Sequence, residues 1–266
     1  MLNRSPRHSM HIIFILALAA ALIAPMASAQ QVQAQGNMSQ PATGAQTEYP
    51  FAFKAYGRFG RMITQRNYLA VVALKDATDG GVTDSVGAVS GLRGEISMID
   101  GRLIVSYGAD CGTACPAAAA ETVTLLATAS VQHWRAVPID KDLDAKAVEA
   151  FIRAQAKANG LDETKPMPFR ISGTVTDFVM HVNAAPNPRF KGHGSFDEMA
   201  ITGLAKGPRL AGFVVGFYAP PALQGVITHM GDFFHSHFVD AQRSMTAHLD
   251  TFGIAAGSTL MLPKQE

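Results

Sequence analysis

The chain has 266 residues, 48% of them hydrophobic and 16% charged, which is the balance of a folded globular protein and excludes a disordered or collagenous one. Its 22 basic and 21 acidic residues leave a formal charge of +1 with neither sign gathered into a long run, so the electrostatic footprint of a nucleic-acid-binding surface is missing.

In chain order, the first segment reads as an export signal. Arg4 and Arg7 form a basic start, Ile12 to Ala24 is apolar throughout, and Ala27-Ser28-Ala29 is the small-residue pattern that a signal peptidase cuts after. As a helix the apolar stretch spans about 20 Å, short of a hydrocarbon core of about 30 Å. Residues 1–29 are therefore expected to be a signal peptide that sends the chain to the periplasm or outside the cell. No membrane partner is expected after cleavage, and the lack of a cysteine behind the cut argues against a lipid anchor. Residues 30–48, rich in Gln, Ala, Ser, Pro and Gly, bury too little to offset the entropy of ordering and read as a disordered tether.

From Tyr49 the pattern turns strand-like, with β-branched and aromatic runs between glycine and aspartate turns: Leu69–Leu74, Gly94–Ile99, Leu103–Tyr107, Val123–Ala127, Phe169–Val182 and Leu210–Tyr218. Cys111 and Cys115 are the two cysteines. An exported chain favours a disulfide across their tight loop, since a zinc site needs two more soft ligands and a thioredoxin-type pair has two intervening residues instead of three. One helix is expected from Lys141 to Asn159, capped by Asp140 and ended by Gly160, with Leu143, Ala147, Val148, Phe151 and Ile152 on one face. The helix divides a β subdomain at 49–139 from a C-terminal subdomain at 140–266. The expected fold class is α+β, two packed β-rich subdomains with mixed sheets and few helices.

Three histidines stand out: His235 and His237 in Phe-Phe-His-Ser-His-Phe, and His248. Two residues apart on a strand, His235 and His237 project to one face about 6.5 Å from each other. A turn around Ala241 to Ser244 pairs His237 with His248 across a hairpin, so the three imidazoles converge. Three neutral nitrogens with an open fourth position suit a catalytic divalent metal. Among the other histidines, His229 is near enough to line the same pocket, His193 reads as a loop residue, and His133 and His181 read as packing or surface positions. Phe233 and Phe234 read as core, with one ring available to wall a pocket.

This stretch resembles the acetolactate decarboxylase family, in which a His-x-His pair is followed eleven residues later by a third histidine, the spacing of His237 to His248. Gly216-Phe217-Tyr218-Ala219-Pro220 resembles the strand leading to that site, and His248-Leu249-Asp250 the strand returning from it. Gly87 to Glu95, followed by Asp100-Gly101, resembles the family's glycine-rich turn, with Glu95 matching its catalytic glutamate. Phe169-Arg170-Ile171-Ser172-Gly173 resembles the strand carrying its catalytic arginine, with Arg170 on that residue. Ala88 and Arg93 depart from the family's threonine and aspartate, and the family's tail glutamate has no counterpart before Glu266. Asp232, Asp240 and Glu266 itself are the carboxylates available to stand in.

The resemblance implies an acetolactate decarboxylase-like fold and metal-dependent decarboxylation of 2-acetolactate to acetoin and carbon dioxide. The ligands would be His235, His237 and His248, the metal a divalent ion with zinc expected, and the catalytic residues Glu95 and Arg170. Arg170 would hold the substrate carboxylate or deliver a proton, and Glu95 would orient the hydroxyl or act in proton transfer. The expected partner is a small-molecule substrate, with a homodimer as a further expectation. Two alternatives stand beside this reading: a non-catalytic periplasmic binding protein on the same fold, and a decarboxylase of another hydroxy-keto acid.

Overall fold

The computed structural model describes residues 50–109, 118–193 and 198–265, which lie within one compact unit. The expected signal peptide, the tether, the two cysteines and Glu266 fall outside the described residues. In chain order the elements are β1 (Phe51–Tyr56), α1 (Phe59–Thr64), β2 (Val72–Ala73), α2 (Leu74–Thr78), β3 (Asp84–Val89), β4 (Gly94–Ile99), β5 (Arg102–Tyr107), β6 (Thr122–Val131), β7 (Trp134–Ile139), α3 (Ala145–Ala158), β8 (Met167–Pro186), β9 (Ala200–Tyr218), β10 (Phe234–Asp240), β11 (Thr246–Ile254) and β12 (Ser258–Pro263).

The first sheet has the order β1-β6-β3-β4-β5, with β2 beside β6, and the second β11-β10-β9-β8-β12-β7. Because β11 also pairs with β8, strands β8 to β11 close a ring. The α+β fold of two packed sheets is as expected. The mixed pairing is not, because every ladder between named strands is antiparallel. Sheet membership changes between Val131 and Trp134, ahead of the helix, since β7 pairs with β12 and so joins the second sheet.

Between the sheets, Phe53, Val86, Ile99 and Ala127 of the first pack on Val215, Phe217 and Val239 of the second in one apolar core. The odd-numbered residues of β4 and β10 turn into this interface, which is what aims Glu95 and Ser97 at His237. On the other face of the second sheet α3 buries Val148, Ile152 and Ala156, and a fully buried Val or Ile side chain contributes about 1.5–3 kcal/mol. Gly216 of β9 is obligatory, because a Cβ there would meet the Phe169 ring at 2.5 Å and the His235 carbonyl at 2.9 Å.

Several expected boundaries move, β9 beginning as early as Ala200, and two of the shifts have a local cause. The N-cap of α3 is Asp144, whose carboxylate accepts from the Ala147 N–H at 2.8 Å. Leu143 cannot be helical, since its N–H and C=O both bond Ile254 at 2.8 Å; Gly160 does close the helix, at φ +76°. Of Leu69–Leu74 only Val72–Ala73 is strand, because the chain turns inward at the fully buried Leu74 to begin α2 and leaves Leu69 exposed.

The β10–β11 hairpin has the expected register, His237 opposite His248. Asp240 closes its turn by accepting from the N–H groups of Ser244 (2.6 Å) and Met245 (2.7 Å) and from the Ser244 hydroxyl (2.8 Å). Partial burial would raise its carboxyl, but these bonds outweigh that and hold it below the ordinary range. A carboxyl held low in the folded state contributes stability that is present above its unfolded value of about 3.9 and lost as pH falls below it. Asp240→Ala is therefore expected to cost about 0.5–1.5 kcal/mol at pH 7, since these bonds are partly screened by solvent. Urea unfolding of both proteins should show the gap narrowing by pH 3, and a gap independent of pH would refute the turn's dependence on this carboxylate.

Candidate metal centre

His235, His237 and His248 come together as the hairpin register requires, with one nitrogen from each ring within 4.8 Å of the others. Ring centroids are 5.0 Å apart for His235–His237, 5.0 Å for His235–His248 and 5.3 Å for His237–His248, and the His235 and His237 Nε2 atoms are 3.2 Å apart. Desolvation by burial is the largest cause that pushes all three below the ordinary histidine range, His235 to about 4, with the neighbouring imidazoles adding to it. Neutral imidazoles are the ligand form, so the three residues fit a divalent ion.

The tautomer of His237 follows from counting hydrogens. Thr246 donates its only hydroxyl proton to the Phe238 carbonyl at 3.0 Å. At 2.6 Å, therefore, Ser97 is the donor to Thr246. Ser97 has then spent its own proton, and at 3.1 Å it accepts from Nδ1–H of His237. Nε2 is left with its lone pair, directed toward His235. Fixing a ligand's tautomer through its second nitrogen is the usual work of residues behind a metal site.

Glu95, expected beside the metal ligands, is there. Its Oε2 lies 3.6 Å from His237 Nε2, and its Oε1 accepts from the Asn183 backbone N–H at 3.3 Å and from the Asn183 side-chain amide. Burial pushes this carboxyl up to about 8, against the lowering pull of His181 and the Asn183 bonds. His181, read from sequence as a packing or surface position, belongs to this cluster. Paired with His248 across β8 and β11, it has its ring 4.8 Å from that of His248, and its Nδ1 is 2.8 Å from Asp250 Oδ1. Neither His181 nor Asn183 carries a spacing signal, because only the β8–β11 and β4–β8 contacts bring them in.

Arg170 is elsewhere. Its guanidinium grips Asp84 through both Nε and Nη2, the latter at 2.8 Å, reaches Asp100 through Nη1, and lies 4.4 Å over the Trp134 ring. It lies on the same strand as His181 but lines no part of the pocket. Two acidic partners from the first sheet hold it as a clamp between sheets, two strands from His237, with both residues opposite Val215 of β9. Arg93, a departure noted from sequence, pairs with Glu121 at 2.7 Å.

A pocket of about 400 Å³ opens over His235 and His248. His229 lines it, its ring 4.1 Å from that of Phe59, as do Phe234 and Asp232, whereas Asp240 is occupied by its turn. His193 and His133 are exposed.

The profile of the alpha-acetolactate decarboxylase family matches residues 65–263. Three solved structures, each aligned over 80% of this chain, have a similar fold. One is a Staphylococcus aureus protein of unknown function similar to alpha-acetolactate decarboxylase, at 18% identity and TM-score 0.61 over 85% of that chain. The others are alpha-acetolactate decarboxylase of Bacillus subtilis strain 168, at 15% and 0.64 over 85% of that chain, and acetolactate decarboxylase of Bacillus subtilis subspecies spizizenii, at 13% and 0.62 over 86%. No curated protein sequence matches the chain.

Two substitutions test the assignments. Thr246→Val deprives Ser97 of its acceptor and frees the His237 tautomer, so zinc affinity measured by competition with a chelator should fall about 10–100-fold; unchanged affinity would sink the relay. Arg170→Met should leave zinc affinity intact while destabilising the fold by about 3–5 kcal/mol in urea titration, because Asp84 remains buried without its partner. A stable variant that had lost its metal would return Arg170 to the site.

Proposed function

Because the chain belongs to the alpha-acetolactate decarboxylase family, we propose that it decarboxylates 2-acetolactate to acetoin and carbon dioxide with a divalent metal, zinc, held by His235, His237 and His248. The observation that carries this reading is the convergence of three neutral imidazoles beside Glu95, two of which, His235 and His248, line a pocket of about 400 Å³. Three imidazoles with room for a further ligand are a catalytic rather than a structural donor set.

In the reaction the bond between the carboxylate and the hydroxyl-bearing carbon breaks, and its electron pair passes toward the ketone oxygen to leave an enediolate. A proton delivered to that carbon then gives acetoin. A bound divalent ion would supply Lewis-acid stabilisation of the developing negative charge. The chain's own residues do the rest. Glu95, immobilised by Asn183, presents Oε2 beside the imidazoles, where it orients the substrate hydroxyl and exchanges a proton with it. His181, steadied by Asp250, lies beside His248 from β8. Phe59, Phe169 and Phe234 exclude water from the other side. Export to the periplasm or medium is proposed with this reading, on the strength of the Arg4–Ala29 sequence pattern.

A non-catalytic binding protein is the second reading, favoured by the engagement of Arg170 with Asp84 and Asp100. Metal analysis of the purified chain, with acetoin formation from racemic 2-acetolactate, separates the two. Near-stoichiometric metal and turnover are expected, both abolished in His235→Ala/His237→Ala. Metal without turnover of any hydroxy-keto acid would overturn the enzyme reading.

A further inference from the structure

The pocket over the histidines is large for a five-carbon acid. Sites of about 300–1,000 Å³ enclose drug-sized ligands, and this one, at about 400 Å³, falls in that range. Its far wall is apolar: Phe59 from α1, Val148 and Ile152 from α3, Phe169 from β8, Phe234 from β10 and Phe252 from β11. Phe59, Val148, Ile152 and Phe169, each at most 3% exposed, are its packed backing, and the half-buried Phe234 and Phe252 present its open surface, with Phe169 and Phe234 edge to face at 5.7 Å.

The charges are as informative as the shape. Among the described lining residues none is Lys or Arg, whereas Glu149, Asp232 and Asp250 are carboxylates. A single substrate carboxylate can be accommodated at the metal and the imidazoles. A second anionic group further out would face Glu149 and Asp232 with no cation in the lining to offset them. Glu149 already registers this, its carboxyl raised first by burial and then by Asp232.

From this shape and charge we infer that the site takes monoanionic 2-hydroxy-3-oxo acids with an apolar alkyl or aryl substituent larger than methyl, seated against Phe234 and Phe252. Dicarboxylate and phosphorylated homologues are excluded. This rests on the decarboxylase reading of the same site and deepens it. In an apolar pocket one methylene changes specificity by about 10–200-fold, so filling the far wall should dominate the preference.

The experiment compares kcat/KM of the metal-loaded chain for 2-acetolactate and for homologues with isobutyl, phenyl or carboxymethyl replacing either methyl group. Binding of the corresponding 2,3-dihydroxy acids, which lack the ketone and cannot decarboxylate, is measured by calorimetry. The isobutyl and phenyl acids should exceed 2-acetolactate by about tenfold or more, and the carboxymethyl acid should fall below it. Ala145, exposed on the first turn of α3 where it lines the pocket, offers a variant that leaves the core alone. Ala145→Phe should reduce the preference for the larger acids about tenfold. Turnover of 2-acetolactate with rejection of the larger acids in both assays would overturn the inference and leave the decarboxylase reading standing. Tighter binding of the larger dihydroxy acids without any turnover would do the reverse, and no binding at all would overturn both.

Discussion

A short polar chain buried in an apolar interface holds the site together. Phe238 carbonyl, Thr246 hydroxyl, Ser97 hydroxyl and His237 imidazole form one line of hydrogen bonds from the second sheet through the first and back. Ser97, His237 and Thr246 are essentially inaccessible to solvent, so an unpaired member would cost the full desolvation of its polar group. The sheets can therefore dock in only one register without stranding a hydroxyl or an imidazole. That same register points the His237 lone pair at His235. Specificity of packing and readiness for metal arise from the same four groups.

The Arg170 clamp does related work at a different place. Asp84 and Asp100 come from the first sheet and Arg170 from the second, so the ion pairs cross the interface beside Trp134. Asp100 also receives Arg243, whose place in the turn between β10 and β11 ties the ligand hairpin to the same carboxylate. Buried pairs of this kind add little net stability compared with an apolar filling, but they penalise strongly any arrangement in which one partner is missing. The clamp and the Ser97 line thus restrict the sheets at two separate points.

Much of the site was legible in sequence because its ligands are local. The spacing of His235, His237 and His248 survives any uncertainty about the rest of the fold, since one hairpin carries all three and the register depends only on the turn. Glu95 was found through a resemblance of its glycine-rich surroundings. His181 and Asn183 were not found, because the antiparallel partner that gives His181 its role is 67 positions away and nothing local marks it. Arg170 shows the converse limit. Its local sequence matched a family strand, yet the side chain it carries faces two aspartates that no local pattern could reveal. The helix start was misjudged for a similar reason, Leu143 being claimed by a strand partner beyond residue 250.

The separation of the Ser97 line along the chain has a consequence for how the histidine cluster is completed. Its members lie 140 and 149 residues apart in sequence, and contacts of that range form late, after both sheets have closed their own ladders. Until then the histidines of the hairpin have neither a fixed tautomer nor a dry environment. Ligand type alone discriminates poorly among first-row divalent ions, so local supply decides the outcome. A divalent ion held by these histidines would thus meet the completed donor set only after the two sheets have docked.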